Sequence, residues 1–226
     1  MVSTEKVKGL IQEVEGADSS DKLLDAVKAL AAVRHEAAIP TLIDVLRYNN
    51  PGAAVAAVDG LIDIGQAAVT PLLDNLDGYN YGARAWATRA LAGIGDPRAL
   101  GLLVEAAITD FSLSVRRAAA RGLGNIIWSK VPDEEIESKQ KQVLDTLLQV
   151  AQDPEWVVRY AAVVGLQNLA LSVVSSNSGL VQQIIGQFSE MSINDPEIAV
   201  RARVKMALEG IGNRGREKEE KLMTNN

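Results

Sequence analysis

The chain repeats one short phrase six times, and this repeat restricts its fold more than any other feature of the sequence. When the phrases are aligned on a shared leucine, the successive spacings are 31, 30, 32, 43 and 42 residues. The aligned residues are Leu30, Leu61, Leu91, Leu123, Leu166 and Leu208. Such periods are typical of stacked repeats, in which one unit cannot bury its apolar face without its neighbours.

Within each phrase, small and apolar residues recur at helical spacing. We number positions from the aligned leucine, so that position −4 lies four residues before it. Positions −4, −7 and −8 share one helical face with the leucine at about 3.6 residues per turn. Further helices are predicted between the phrases, for example over 97–110. The sequence therefore predicts an all-α fold, an α-solenoid of about six two-helix repeats.

The longer spacings predict two insertions, a charged one at 129–142 and a serine-rich loop at 172–181. Residues 1–212 are predicted to form a single solenoid. The charged segment 213–226 lacks an apolar period, and we expect it to be disordered.

Arginine recurs at position −7, as Arg84, Arg116, Arg159 and Arg201. This recurrence predicts a ladder of ion pairs between repeats, with Asp110, Asp153 and Asp195 as the acidic partners. The Asp153-Pro154 and Asp195-Pro196 pairs also predict helix starts, with aspartate as the N-cap and proline as the first helical residue.

Composition excludes several function classes. There is no cysteine, and His35 is the only histidine, so we expect no disulfide, no thiol nucleophile and no metal site. The net charge of −6 argues against general binding to nucleic acid. No unbroken apolar run reaches about 18 residues, so we expect no membrane insertion and a soluble, intracellular protein.

Scarce aromatic residues gather in one segment. Aromatics are 4% of the chain, yet Tyr79, Tyr81 and Trp86 fall within eight positions. Trp86 occupies position −5, where two other repeats have Ala118 and Ala161. A tryptophan on the solvent side of a helix favours a ligand or partner that covers it. The two tyrosines precede the helix and could either pack against the previous repeat or bind.

Arginines that do not recur lie on the same predicted face, at Arg89, Arg117 and Arg121. The segment 84–121 contains six arginines and three acidic residues, so it is locally basic within a protein of net negative charge. These arginines either bind a ligand or are merely solvated. Tyr160 shares the face, and Asp59 is an acid there that could hydrogen-bond ring N–H groups. Aromatic faces beside unpaired arginines suit a flat, conjugated, acidic ligand.

The residues that carry a family resemblance lie in the same region. They read YNYGARAWATRALAGIGDPRALGLL (79–103), followed by DFSLSVRRAAARGLGNI (110–126). These phrases resemble HEAT repeats, and in particular the F-type subunits of the heterodimeric E/F phycobilin lyases. The form that serves the phycocyanin α-subunit is the most similar. The resemblance is strongest over 51–126 and continues to about residue 212.

The resemblance implies an enzyme that binds phycocyanobilin, a linear tetrapyrrole with two propionates. The enzyme would attach it through a thioether to a cysteine of the phycocyanin α-subunit, with an E-type subunit as partner and no cofactor. Tyr79, Tyr81, Trp86 and Tyr160 would then contact pyrrole rings, Arg89, Arg117 and Arg121 would hold propionates, and Asp59 would protonate or hydrogen-bond the pyrrole nitrogens.

A branch of this family also isomerises the bilin, through a motif with adjacent His and Cys. Isomerisation is not expected here, because the chain has no cysteine and a lone His35. Two alternatives stay open. One is a repeat protein that detaches bilin or promotes phycobiliprotein degradation, and the other is a non-enzymatic interaction scaffold.

Overall fold

The computed structural model describes residues 3–76 and 78–224, with side chains as far as residue 214. Within these ranges, all regular secondary structure is helical and there is no strand. The helices are α1 (Thr4–Glu15), α2 (Ser20–Ala32), α3 (Ile39–Val45), α4 (Pro51–Ile64), α5 (Val69–Asp74), α6 (Tyr81–Ile94), α7 (Leu100–Thr109), α8 (Leu113–Leu123), α9 (Asp133–Val150), α10 (Trp156–Val173), α11 (Ser178–Asn194) and α12 (Ile198–Thr224). They form six consecutive pairs, which confirms the predicted all-α solenoid of two-helix repeats.

The repeated phrase forms the second helix of every pair. Position −4 is buried in all six repeats, and the aligned leucine is fully buried in the first five. Leu208, in the last of the six repeats, is half-buried. Burial of this stripe stabilises the fold, since apolar area removed from water contributes about 25 cal/mol per Å².

The chain divides into two compact units, residues 1–101 and 102–226. In the first, α4 packs against α2 on one side and α6 on the other, while α1 and α3 cover them. In the second, α10 packs between α8 and α12, and α9 and α11 cover its other face. One continuous solenoid over 1–212 stays a prediction.

In the second unit, α8 and α10 approach so closely that no side chain fits between them. A Cβ on Gly165 would lie 2.3 Å from the carbonyl oxygen of Ala120, and a Cβ on Gly124 would lie 2.3 Å from the carbonyl oxygen of Gly165. The small residues of the phrase are therefore a steric requirement at this crossing.

The long spacings are taken up mainly by longer helices. Most of 129–142 belongs to α9, and 172–181 contributes the end of α10 and the start of α11, with a short turn between. The predicted loop at 172–181 is therefore wrong except for residues 174–177. The charged side chains of 129–142 are good helix formers, and lysines at 139 and 141 form i,i+4 ion pairs with Glu135 and Asp145.

The structure also differs from the prediction for the C-terminal segment. The backbone of α12 continues as helix to Thr224, whereas a disordered segment was expected from residue 213. Glu and Lys in this stretch favour helix as strongly as most residues. Residues 225 and 226, and the side chains beyond 214, lie outside the described part of the chain.

The arginine ladder is confirmed in the second unit. Arg116 Nε donates to Asp153 at 2.8 Å, and Arg159 Nε donates to Asp195 at 2.8 Å. Each guanidinium also donates to two backbone carbonyls in the turn of its own repeat. Arg116 and Arg159 each therefore hold the interhelix turn of their own repeat and the turn of the next repeat.

The aspartates of the ladder do not cap α-helices as predicted. Helix α10 begins at Trp156 and α12 at Ile198, three residues after Asp153 and Asp195. Each aspartate instead accepts a hydrogen bond from the backbone N–H two residues later, at Glu155 or Glu197. The prediction was wrong because these carboxylates are shared between a tight turn and the arginine of the preceding repeat.

A related acid, Asp96, is buried in the turn that follows α6. Its carboxylate accepts hydrogen bonds from the Arg98 side chain at 2.8 Å, from the Arg98 backbone N–H at 3.0 Å and from Gln66 at 3.3 Å. The Arg98 side chain is the largest cause that lowers the pKa of Asp96, from its ordinary 3.8 to about 2, against the opposing effect of burial.

We therefore expect Asp96→Asn to lower the free energy of unfolding by about 2 kcal/mol at pH 7. Because the folded-state pKa is depressed, this stabilisation is present above the ordinary pKa and is lost as the pH falls through about 2. In denaturant titrations, the difference in free energy of unfolding between Asp96→Asn and the parent chain should thus shrink as the pH is lowered from about 5 to 2.5. Asp145→Asn, at an exposed ion pair, is the control; a difference of the same size at every pH would contradict the assignment.

Two stretches are apolar enough to span a membrane by length and composition, Pro51–Asp74 and Trp156–Val173. Both are repeat helices with large buried shares, 44% and 56% of their most apolar windows. The first is broken at Gly65, where φ is +77°, and the second contains the ion-paired Arg159. Core helices of soluble proteins pass the same test, so neither stretch is good support for a membrane span.

Candidate functional site

Every predicted site residue on the repeat helices is accessible to solvent. Position −2 is exposed in five repeats and half-buried in the sixth, which leaves Asp59, Arg89 and Arg121 pointing outward. Arg117 is exposed as well, whereas Trp86 and Tyr160 are half-buried. The side chains that the sequence placed on one face are therefore available to a ligand within each unit.

In the first unit, the site centres on α6. Asn80 caps this helix by accepting a hydrogen bond from the Ala83 N–H, which fixes the orientation of the first turn. The Arg89 guanidinium carbon lies 5.6 Å from the centre of the Trp86 ring. The two side chains thus form a cation–π pair, in which the charge is held above an aromatic face.

The two tyrosines are more exposed than Trp86. Tyr81 is the first residue of α6 and is 57% exposed, and Tyr79 in the preceding turn is fully exposed. An open depression of about 550 Å³ lies between α2 and α4, and Asp59 lines it together with Lys28. Asp63 lines the same depression and pairs with Arg34 at 2.9 Å.

In the second unit, side chains from two neighbouring helices, α10 and α12, meet. The Arg203 guanidinium carbon of α12 lies 6.0 Å from the centre of the Tyr160 ring on α10. Arg203 also donates a hydrogen bond to the side-chain oxygen of Gln167. Burial lowers the pKa of Arg203, and the positive charge of Arg121 on α8 lowers it further, while Tyr160 opposes the shift.

Arg203 is a candidate that the sequence analysis missed. It occupies position −5 of the last repeat, the same position as Trp86. Reading position −5 through all six repeats would have found it. The structure therefore brings Trp86 together with Arg89, and Tyr160 together with Arg203. The ligand roles of these residues, and those of Asp59, Tyr79, Tyr81 and Arg117, stay predictions.

A metal centre has no support in the described ranges, where no group of three or more His, Cys, Asp or Glu side chains comes together. The groups available to a ligand are instead aromatic faces, arginine guanidinium groups and the exposed carboxylate of Asp59 on α4. Such an arrangement can bind and orient a flat anionic molecule, and it contains no cysteine nucleophile.

Fold and site together define a class of protein, the HEAT-repeat proteins. A family model of HEAT repeats matches residues 69–167, and a model of the phycobilisome (PBS) lyase HEAT-like repeat matches residues 23–48. A designed armadillo repeat protein in complex with a (KR)4 peptide superimposes with a TM-score of 0.56 at 20% identity, which supports the fold alone.

Proteins of similar sequence identify the family to which the chain belongs. The chain is 60% identical over 211 residues to "Phycocyanin alpha phycocyanobilin lyase CpcF" of Synechocystis sp., covering 93% of this chain and 97% of that one. It is 58% identical to "Phycocyanobilin lyase subunit beta" of Pseudanabaena tenuis, covering 90% and 73%. A chain in the structure of the CpcE and CpcF complex of phycocyanin lyase from Nostoc sp. matches at 51% identity and a TM-score of 0.71, covering 77% and 99%. The chain belongs to the family of CpcF-type phycocyanobilin lyase subunits.

Proposed function

We infer that this chain is the F-type subunit of a heterodimeric lyase that attaches phycocyanobilin to a cysteine of the phycocyanin α-subunit. The observation that carries this conclusion is the 60% identity to a CpcF lyase across 93% of the chain. The enzyme acts together with an E-type subunit, as in the complex from Nostoc sp.. A 53% identical relative named "Phycobilisome maturation protein" comes from the cyanobacterium Synechococcus elongatus, and we propose a cytoplasmic location during phycobilisome assembly.

The reaction joins a thiol to a double bond. The sulfur of the substrate cysteine bonds to the ethylidene carbon outside ring A, and the neighbouring ring carbon takes up a proton, so that no atom is lost. The nucleophile belongs to the substrate protein, which agrees with a lyase subunit that has no cysteine. What this chain contributes is orientation, and holding two reactants in a productive geometry can supply much of the rate enhancement.

Two kinds of contact would orient the bilin. The Trp86 ring, held beside Arg89, offers an apolar face for a pyrrole ring. Arg117, Arg121 and Arg89 are exposed cations that can bind propionates, because a guanidinium matches a carboxylate in a two-point hydrogen bond. Asp59 is the exposed acid that could protonate or hydrogen-bond pyrrole nitrogens.

The last helix pair supports association with a partner. Its exposed apolar side chains include Ile193, Ile198 and Met206, which are 77%, 71% and 63% exposed. Obligate interfaces are more apolar than ordinary protein surface. A partly apolar terminal repeat is what a chain that works within a heterodimer requires.

The test is co-expression of three chains in a bilin-producing bacterium: this chain, an E-type partner and the phycocyanin α-subunit. Covalent attachment is measured as bilin fluorescence on a denaturing gel. We expect Trp86→Ala to lower the initial attachment rate up to about tenfold, the loss of one well-placed aromatic contact. Trp156→Ala is the matched control, because Trp156 is also partly exposed but is the first residue of α10, outside the predicted site.

Attachment that continues without this chain would rule out the lyase assignment. Loss of bilin from a preloaded α-subunit would instead identify a detaching activity. A result in which Trp86→Ala and Trp156→Ala reduce attachment equally would remove Trp86 from the site while leaving the lyase assignment in place.

A further inference from the structure

Arg203 differs from the ladder arginines in what it contacts. Arg116 and Arg159 each pair with an aspartate, whereas the contacts of Arg203 within the described residues are the Tyr160 ring and the amide oxygen of Gln167. Arg203 is half-buried, so it has lost part of its hydration without gaining a carboxylate there. A partly desolvated cation in this state is stabilised by an anion that arrives from outside the chain.

A second cation, Arg121, lies on α8, which packs against α10 on the side away from α12. Arg121 is exposed, at position −2 of its repeat. Its positive charge adds to the effect of burial in lowering the pKa of Arg203. Helix α10 packs between α8 and α12, so Tyr160 lies on the helix between the two arginines. Like charges that lie near each other repel, and a bound anion between them turns that repulsion into attraction.

The guanidinium of Arg203 is also held in place before any ligand binds. The Tyr160 ring lies on one side of it and the Gln167 amide accepts one of its hydrogen bonds. A fixed guanidinium loses little side-chain entropy when it binds, and its planar fork matches the two oxygens of a carboxylate. These features together describe a preformed carboxylate site.

We propose that Arg121 and Arg203 together bind a propionate of the bilin, with Tyr160 holding the Arg203 guanidinium in position. The proposal rests on the proposed function, because that function supplies a ligand with two carboxylates. It adds Arg203, which was not among the residues predicted from the sequence, and it assigns one propionate to the second unit of the chain.

The experiment compares two ligands that differ only at the propionates, which are charged carboxylates in one and neutral methyl esters in the other. Phycocyanobilin and its dimethyl ester are titrated into the complex of this chain with its E-type partner, and binding is followed by the absorbance of the bilin. We expect the parent complex to bind the diacid more tightly than the ester. Arg203→Ala should weaken binding of the diacid about tenfold or more, and change binding of the ester less than twofold.

Controls separate charge from folding. Arg214→Ala removes an exposed arginine farther along α12 and should leave both affinities unchanged. Arg203→Lys keeps the charge but loses the planar fork, so it should recover only part of the diacid affinity. The double variant Arg121→Ala with Arg203→Ala should lose less than the sum of the two single effects, because both arginines bind one carboxylate.

Several results would overturn the proposal. Equal weakening for diacid and ester would show that Arg203 acts through packing rather than through a carboxylate. If Arg203→Ala leaves the affinity for diacid and ester unchanged but weakens assembly of the two subunits on a sizing column, Arg203 binds a carboxylate of the partner protein and not a propionate. If the parent complex binds neither bilin nor ester, the proposed function itself fails, whatever the variants do.

Discussion

Replacing Arg159 with alanine is expected to lower the free energy of unfolding by about 3–5 kcal/mol. Arg159 and Asp195 are 9% and 8% exposed, and two hydrogen bonds of 2.8 and 3.0 Å join them. Without the guanidinium, Asp195 would stay buried with an uncompensated charge. The carbonyls of Asp153 and Pro154 would also lose their donor.

Urea unfolding followed by circular dichroism measures this change. Lys141→Ala is the control, since its ion pair with Asp145 is exposed and should contribute less than about 0.5 kcal/mol. Replacing both Arg159 and Asp195 with alanine should cost less than the sum of the single changes, because the second removes the stranded charge. A loss below about 1 kcal/mol for Arg159→Ala would mean that the turn relaxes and exposes Asp195 to water.

Gly165→Ala is expected to lower the free energy of unfolding by about 2–3 kcal/mol. The added methyl group would lie 2.3 Å from the Ala120 carbonyl oxygen and 3.0 Å from a Leu147 methyl group. The nearer contact is with backbone, so α8 and α10 have to move apart. That movement opens the crossing on which the second unit depends.

The matched control is Gly186→Ala, in the middle of α11, where a Cβ meets nothing within 4 Å. That change should raise the free energy of unfolding by up to about 1 kcal/mol, because alanine is the better helix former. Opposite signs for the two variants in denaturant titrations are the expected result. Stabilisation by Gly165→Ala would show that the helices tolerate a wider spacing.

The repeat made much of this fold predictable from sequence. The leucine register identifies the buried stripe, because one helical period recurs in every repeat and neighbouring repeats within each unit pack against one another. The ladder was predictable for the same reason, since Arg116 and Arg159 recur at position −7 beside recurring aspartates. Features that depend on composition alone were less predictable, and a serine-rich stretch near residue 175 was assigned to a loop although most of it is helical.

The site was only partly predictable, because its contacts join helices far apart in sequence. Arg89 and Trp86 are three residues apart on one helix, so their proximity follows from helical geometry. Tyr160 and Arg203 lie on different helices, and their contact depends on how α10 and α12 pack. Position −5 holds aspartate, alanine, tryptophan or arginine in different repeats, and no period in the sequence indicates which of these will meet a residue of a neighbouring helix.

The position of the ladder has a consequence for how the chain can be altered. Its ion pairs run through the turns that join the two helices of one repeat, whereas residues 174–177 join one repeat to the next. The long helices α10 and α11 on either side of that junction do not prevent the Arg159–Asp195 ion pair from forming. New sequence, such as a fluorescent label or an affinity tag, should therefore be tolerated there better than at the turns holding Asp153 or Asp195, where an insertion would separate the arginine from its carboxylate.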